Sequence, residues 1–322
     1  MTSPDPVRRA LAAGAAALLL TGLTACGAGA GQAEPTGDRT RAFTSDHTGE
    51  PVRIPADPQR IVAIGWAVTP LISVEEADLV GVTRGTQDTS LTPEELEKVE
   101  SLPSVGTDLD ISVEEVAALE PDLIVSGLAA AMDYDYADLE QVAPVAVAAM
   151  NTPAEWKDMN DRVADAAGVA DAHAELKERY DERAAEIEET HADVLADTRF
   201  ASIAAFGDGN WTLEHRDAHG TTVPADAGLD FTEQAEGGAF SESLSYEELD
   251  RLDDYDAVLT RATEEGEPTE QIAEVMEQGP WRGVEPVREE HVYHVPRLGA
   301  MSYTSGLLVL DELEERVLSD LQ

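Results

Sequence analysis

Apolar residues along this chain fall into two rhythms. Residues 60–65, 79–83, 122–127 and 145–148 are short, nearly continuous apolar runs, rich in Val and Ile and bounded by Gly, Pro or charged residues. That is the pattern of strands buried on both faces. Between them, apolar positions at helical spacing predict helices over about 67–77, over 112–120 with a serine cap, and over 136–143. Strands alternating with helices predict a parallel α/β sheet. Ahead of it, residues 41–44 and 51–54 flank His47-Thr48-Gly49-Glu50 and read as a hairpin.

From 153 to 196 the rhythm is helical throughout, with charges at almost every turn and Gly168 placed to break or bend it. A polar helical segment of that length suits a rigid connector between two lobes. A second α/β series follows, with strands at 200–206, 256–260 and 291–295 and an amphipathic helix from about 302 to 321. The predicted organisation is an N-terminal α/β lobe over 41–152, a connector helix over 153–196 and a C-terminal α/β lobe over 197–322. Both sheets are expected to be mainly parallel, with a ligand cleft between the lobes.

The N-terminus is of another kind. Arg8 and Arg9 precede an Ala/Leu-rich stretch over 10–25, too short to span a bilayer, and small Thr24 and Ala25 lie where a signal peptidase needs them. Leu23-Thr24-Ala25-Cys26 resembles a bacterial lipobox, and Cys26 is the chain's one cysteine. Residues 1–25 are therefore read as a signal peptide. Cys26 is the lipidation site that anchors the protein outside the cell membrane, and 26–40 is a Gly/Ala-rich tether.

Charge excludes other partners. The formal net charge is −45, and loss of the leader makes the rest one unit more negative, so nucleic acid is no partner. Apolar residues at 43% in element-length runs argue for a globular chain rather than an acidic disordered one. Lysine is confined to Lys98, Lys157 and Lys177 while carboxylates crowd the predicted exposed faces, as in adaptation to high salt.

In open parallel sheets, ligands bind beyond the carboxyl ends of the strands. Trp66 and Arg84 follow the first two strands, Tyr134 lies in the loop after the third, and Arg297 and Tyr303 lie between the last strand and the last helix. Arg216 closes a possible hairpin rim after the first strand of the second lobe. These six are the candidate ligand-binding residues. Each has a plainer reading, as a core aromatic or as one arm of a surface ion pair. His215 and His219 beside Glu214 and Asp217, and His291 with His294, allow zinc or manganese as a rival ligand. They share no helix face, so no metal site is assigned. A tethered enzyme is the other rival, but no nucleophile elbow, His-Glu-x-x-His helix or phosphate loop occurs, and no catalytic residue is assigned.

Several short stretches share one order and spacing. They are Pro58-Gln59-Arg60-Ile61-Val62-Ala63, Gly81-Val82, Val105-Gly106-Thr107, the run from Ser112 through Glu120-Pro121-Asp122 to Val125, Ala143-Pro144-Val145, Leu244-Ser245-Tyr246-Glu247-Glu248-Leu249, and Pro280-Trp281 with His291-Val292-Tyr293. From about residue 41 to the end, the chain resembles the helical-backbone class of ABC-transporter solute-binding proteins that serve ferric siderophores, haem and cobalamin. The resemblance implies two α/β lobes joined by one long helix, a monomer, and no cofactor, iron arriving only inside a bound ferric siderophore. Haem or cobalamin in the same cleft is the alternative cargo. It also implies docking to the permease subunits through one exposed glutamate per lobe, Glu114 and Glu247 at the matching positions.

Overall fold

The computed structural model describes residues 39–85, 89–207, 209–233 and 238–322. The expected leader, Cys26 and all but the end of the tether lie outside the described residues.

The hairpin forms as expected, β1 (Thr40–Ser45) pairing antiparallel with β2 (Glu50–Pro55). The first lobe is then built from β3 (Ile61–Gly65), α1 (Val68–Ile72), β4 (Leu79–Arg84), α2 (Pro93–Ser101), β5 (Ser104–Thr107), β6 (Asp110–Ile111), α3 (Val113–Ala118), β7 (Leu123–Gly127) and β8 (Val145–Val147). Its sheet runs β6-β5-β4-β3-β7-β8 and is parallel except for the short β6. All five residues of β3 and of β7 are buried, which explains their unbroken apolar character. Ser112 caps α3 through the Glu115 amide at 3.3 Å.

Two predicted helices are shorter than their periodicity suggests. The 67–77 helix is the five-residue α1, where Ser73 bonds back to the Thr69 carbonyl at 2.7 Å and the chain turns away. The 136–143 helix shrinks to a 3₁₀ turn, Leu139–Gln141, because Pro144 disfavours helical geometry just before it.

The connector is several helices rather than one. α4 (Trp156–Ala167) ends at Gly168, whose φ of 77° lets its amide reach back to the Ala164 and Asp165 carbonyls. α5 (Ala170–Thr190) runs 21 residues, roughly 30 Å, and α6 (Ala192–Asp197) completes the crossing. α5 is not polar all round. Leu176, Tyr180, Ala184 and Ile187 form a buried stripe at helical spacing. That stripe joins Ile61 and Leu123 of the first sheet and Phe200 and Leu259 of the second in one continuous apolar core.

The second lobe comprises β9 (Phe200–Ala204), β10 (Asn210–Glu214), α7 (Thr222–Asp226), β11 (Ser241–Ser245), β12 (Ala257–Ala262), α8 (Glu270–Met276), α9 (Glu285–Arg288), β13 (Val292–Pro296) and α10 (Tyr303–Glu312). Its order is β11-β10-β9-β12-β13. Only β9, β12 and β13 are parallel, since β10 pairs antiparallel with both β9 and β11. Ser302 caps α10, which continues as a π-helical stretch over Leu313–Leu318. Among the described residues, no helix is long and apolar enough to cross a membrane.

Candidate functional site

Just beyond the carboxyl end of β3 the first lobe meets the second in an aromatic contact. Trp66 follows β3, and its ring lies 6.1 Å from that of His219, in the loop between β10 and α7. A local feature aims Trp66: Gly65 turns with φ 62°, and a Cβ there would meet Leu128 Cδ2 at 2.7 Å. The neighbouring strand end is fixed as well, because the Thr83 hydroxyl accepts from the Gly65 amide at 2.8 Å and donates to Asp108 at 2.7 Å. Arg84 closes β4 beside it, with a buried Nη1 that has no hydrogen-bond partner.

The opposite lobe presents Arg261, the corresponding arginine near the end of β12. Its guanidinium donates to Glu214 at 2.6 Å, and Glu214, 4% exposed, also accepts from Ser202 at 2.8 Å. Gly220 makes room for this pair, since a Cβ there would sit 2.0 Å from Glu214 Oε2. Arg261 in turn lies 5.9 Å from the ring centroid of Phe206, which follows β9 and is 67% exposed. Burial, then the positive charge of Arg261, hold the His219 imidazole below its ordinary pKa against the opposite pull of Glu214, so it is a neutral ring at pH 7.

The six expected ligand residues do not all meet here. Trp66, Arg84 and Arg297 stand at or just beyond the ends of β3, β4 and β13, but Arg297 is mostly buried in a left-handed conformation (φ 54°) and paired with Glu264. Tyr134 is half-buried in the loop after β7, edge-on to Tyr136 at 5.0 Å between centroids. Two expectations are corrected. Tyr303 is 1% exposed and packs against Trp156, Tyr180 and His173 with centroids 5.0–5.3 Å away, because the first turn of α10 faces α4 and α5. Arg216 is carried away from the cleft because β10 runs antiparallel: its amide bonds to Thr232, beside the strand start where the Phe200 amide bonds to Asp230.

Sequence reasoning missed Arg261 and Phe206, and considered His219 only for metal. Part of the signal was present, for Arg261 and Phe206 stand at or just beyond a strand end as Arg84 and Trp66 do. The possible metal ligands do not converge. His215 Nδ1 lies 3.1 Å from the Ala239 carbonyl and His294 Nδ1 lies 2.6 Å from the Thr260 hydroxyl. Among the described residues, no group of three or more His, Cys, Asp or Glu could hold a metal ion.

The model of the periplasmic binding protein family matches residues 61–297, which include both sheets and the connector. The chain belongs to that family. Bacillus subtilis (strain 168) has a relative whose name provisionally assigns it as an ABC transporter substrate-binding lipoprotein, YhfQ. It is 23% identical over 93% of this chain and 95% of its own length. The siderophore periplasmic binding protein from the fuscachelin gene cluster of Thermobifida fusca is 29% identical, with a TM-score of 0.70 over 82% of this chain and 98% of that one. Staphylococcus aureus SirA, complexed with staphyloferrin B, shares the fold at 18% identity and a TM-score of 0.67, over 86% of this chain and 98% of its own.

Proposed function

We propose that this protein is the extracytoplasmic substrate-binding component of an ABC importer, held at the cell membrane by lipidated Cys26, and that it captures a ferric siderophore in the cleft between its lobes. The observation that carries the reading is the pairing of Trp66 with His219 across the lobes, flanked by Arg84 on one side and by Arg261 and Phe206 on the other. Aromatic faces and guanidinium donors suit a bulky, oxygen-coordinated complex with an apolar periphery. The family and the siderophore-binding relative from Thermobifida fusca support the same cargo. The site holds and releases; nothing in it is assigned to chemistry on the ligand.

Delivery to the permease uses Glu114 and Glu247. Both side chains are exposed, in the first turns after Ser112 and Ser245. The neighbouring Glu248 is committed, accepting from the Ser245 amide at 3.1 Å and its hydroxyl at 3.0 Å, which leaves Glu247 as the free carboxylate of its pair. Titration of ferric hydroxamate, catecholate and carboxylate siderophores should quench tryptophan fluorescence saturably for at least one class, with weaker binding of the iron-free form. Binding of haem or cobalamin with no response to any ferric siderophore would overturn the assignment of cargo.

A further inference from the structure

The arginines at the cleft are unequally paired. Three cations stand at its edges, and two are already neutralised: Arg261 by the buried Glu214 and Arg297 by Glu264. Arg84 is the remaining one, with no carboxylate partner among the described residues and a buried nitrogen unsatisfied.

Around these cations the first lobe's edge is acidic. Asp108 and Asp110 bracket the tip of the β5–β6 hairpin, and Asp135 and Asp138 flank the Tyr134 loop. The field of three of them is felt at the Tyr134 phenol, whose pKa is raised first by burial and then by Asp138, Asp135 and Asp110. The second lobe adds aromatic surface rather than charge, with Phe206 presented on Arg261 and the neutral ring of His219 against Trp66. Behind all of this stands a chain of formal charge −45.

Siderophore classes differ most in the charge of their iron complexes. Three catecholates bring six negative charges to Fe³⁺ and leave a trianion, whereas three hydroxamates bring three and leave a neutral complex. A trianion in this cleft would meet one uncommitted guanidinium and several carboxylates. A neutral complex would meet aromatic faces and one free donor for its coordinated oxygens.

Resting on the siderophore reading above, we propose that this cleft selects ferric complexes of zero or single positive charge, the tris-hydroxamate type, over multiply anionic ones. Glu214 and Glu264 are then specificity residues: each neutralises a cation that would otherwise attract an anionic ligand.

The test uses the purified full-length protein, a ferric tris-hydroxamate and a ferric tris-catecholate. Titrations are run in 0.1 M and 1 M salt, where the Debye length falls from about 10 Å to about 3 Å and the far field of the chain is removed. The expected result is at least about tenfold tighter binding of the tris-hydroxamate at both salt concentrations. The ratio of the two affinities should move toward the trianion by at least about fivefold in Glu214→Gln and in the exposed variant Glu264→Gln. Tighter binding of the trianion by the unmodified protein, or a ratio that neither variant moves, overturns the proposal. Failure of every ferric complex to bind removes the siderophore reading itself, and this proposal with it.

Discussion

Thr304, in the first turn of α10, donates a 2.6 Å hydrogen bond to Glu95, so the carboxylate that caps a helix of one lobe also fastens the other. Glu95 accepts from the Thr92 amide at 2.9 Å, completing a capping box, and shares the Ser73 hydroxyl proton, at 2.7 Å, with the Thr69 carbonyl. The same stretch of the second lobe is held elsewhere: Ser90 donates to the Gly299 carbonyl at 3.0 Å and Asn160 to that of Met301 at 3.0 Å. Residues 299–304 thus tie the loop that carries Arg297 to the first lobe.

Because Glu95 is buried and serves three donors, Glu95→Ala should destabilise strongly. The capping contribution is about 1 kcal/mol and each hydrogen bond to a charged acceptor about 1.5–3 kcal/mol. Losses in one network do not add, so a total of about 3 kcal/mol is expected. Thr304→Val, which removes one donor, should cost about 1–2 kcal/mol. Urea denaturation measures both, and a Glu95→Ala loss below about 0.5 kcal/mol would contradict the role.

How far the sequence carries this picture is clear from single elements. Residues 60–65 announce a buried strand because both faces are covered, and Gly168 announces a break because the helix end there needs positive φ. The reversal at β10 was not legible, since a strand followed by a hairpin reads alike whether or not the sheet continues in parallel. That one reversal misplaced Arg216. Tyr303 was misread because its inward face is set by α4 and α5, which lie far away in sequence. Arg261 stands near a strand end, but its ion pair with Glu214 crosses 47 positions of chain, so the partner that fixes it has no local pattern.

At the cleft, removal of the free donor should matter more than removal of a surface arginine. Arg84→Ala and Trp66→Ala are expected to weaken siderophore binding about 10- to 100-fold, the scale of a hydrogen bond to a charged group or of a lost aromatic contact. Arg179→Ala, on the exposed side of α5, should stay within about twofold. Fluorescence titration of the three variants checks this, and equal effects would refute the placement of the site.

Acid should loosen the fold through its histidines first. Burial holds His173 and His219 below their ordinary pKa; Asp161 pulls His173 back up and Lys177 pushes it down. Above about pH 6.5, folded and unfolded chains are both neutral at these rings and nothing is gained or lost. As pH falls below that value, the unfolded chain takes up protons that the folded chain refuses, and stability declines. Glu242 and Glu314, lowered first by hydrogen bonds from Arg251 and Arg183, add a second decline of the same sign at pH below their ordinary value of 4.5. Denaturation midpoints at pH 7.5 and 5.5 should differ in the unmodified protein and differ less in His173→Phe; identical pH slopes would exclude His173 as a contributor.

The acidic surface predicts the response to salt. With 66 Asp and Glu against 21 Lys and Arg, self-repulsion is large in dilute buffer and is screened as the Debye length shrinks. The melting temperature should rise between 0.1 M and 1 M salt. A flat or falling value would argue against adaptation to high salt.

Docking to the permease is separable from capping by mutation. Glu114 follows a serine cap just as Glu247 does, and a carboxylate in a first helical turn is stabilising whether or not it has a partner. Charge reversal at a position that only complements the helix end should cost about 0.3–1 kcal/mol and leave transport intact. Reversal at a docking glutamate should preserve siderophore affinity and impair uptake. Glu248 cannot readily substitute, because its carboxylate is engaged with the Ser245 amide and hydroxyl, whereas exposed Glu115 is held only through its backbone amide. Glu114→Arg should therefore be partly compensated by Glu115 and Glu247→Arg should not, and the double variant should lose uptake most. Cellular iron uptake measured beside affinity of the purified protein decides the matter: normal uptake by the double variant at normal expression would remove both glutamates from the docking surface.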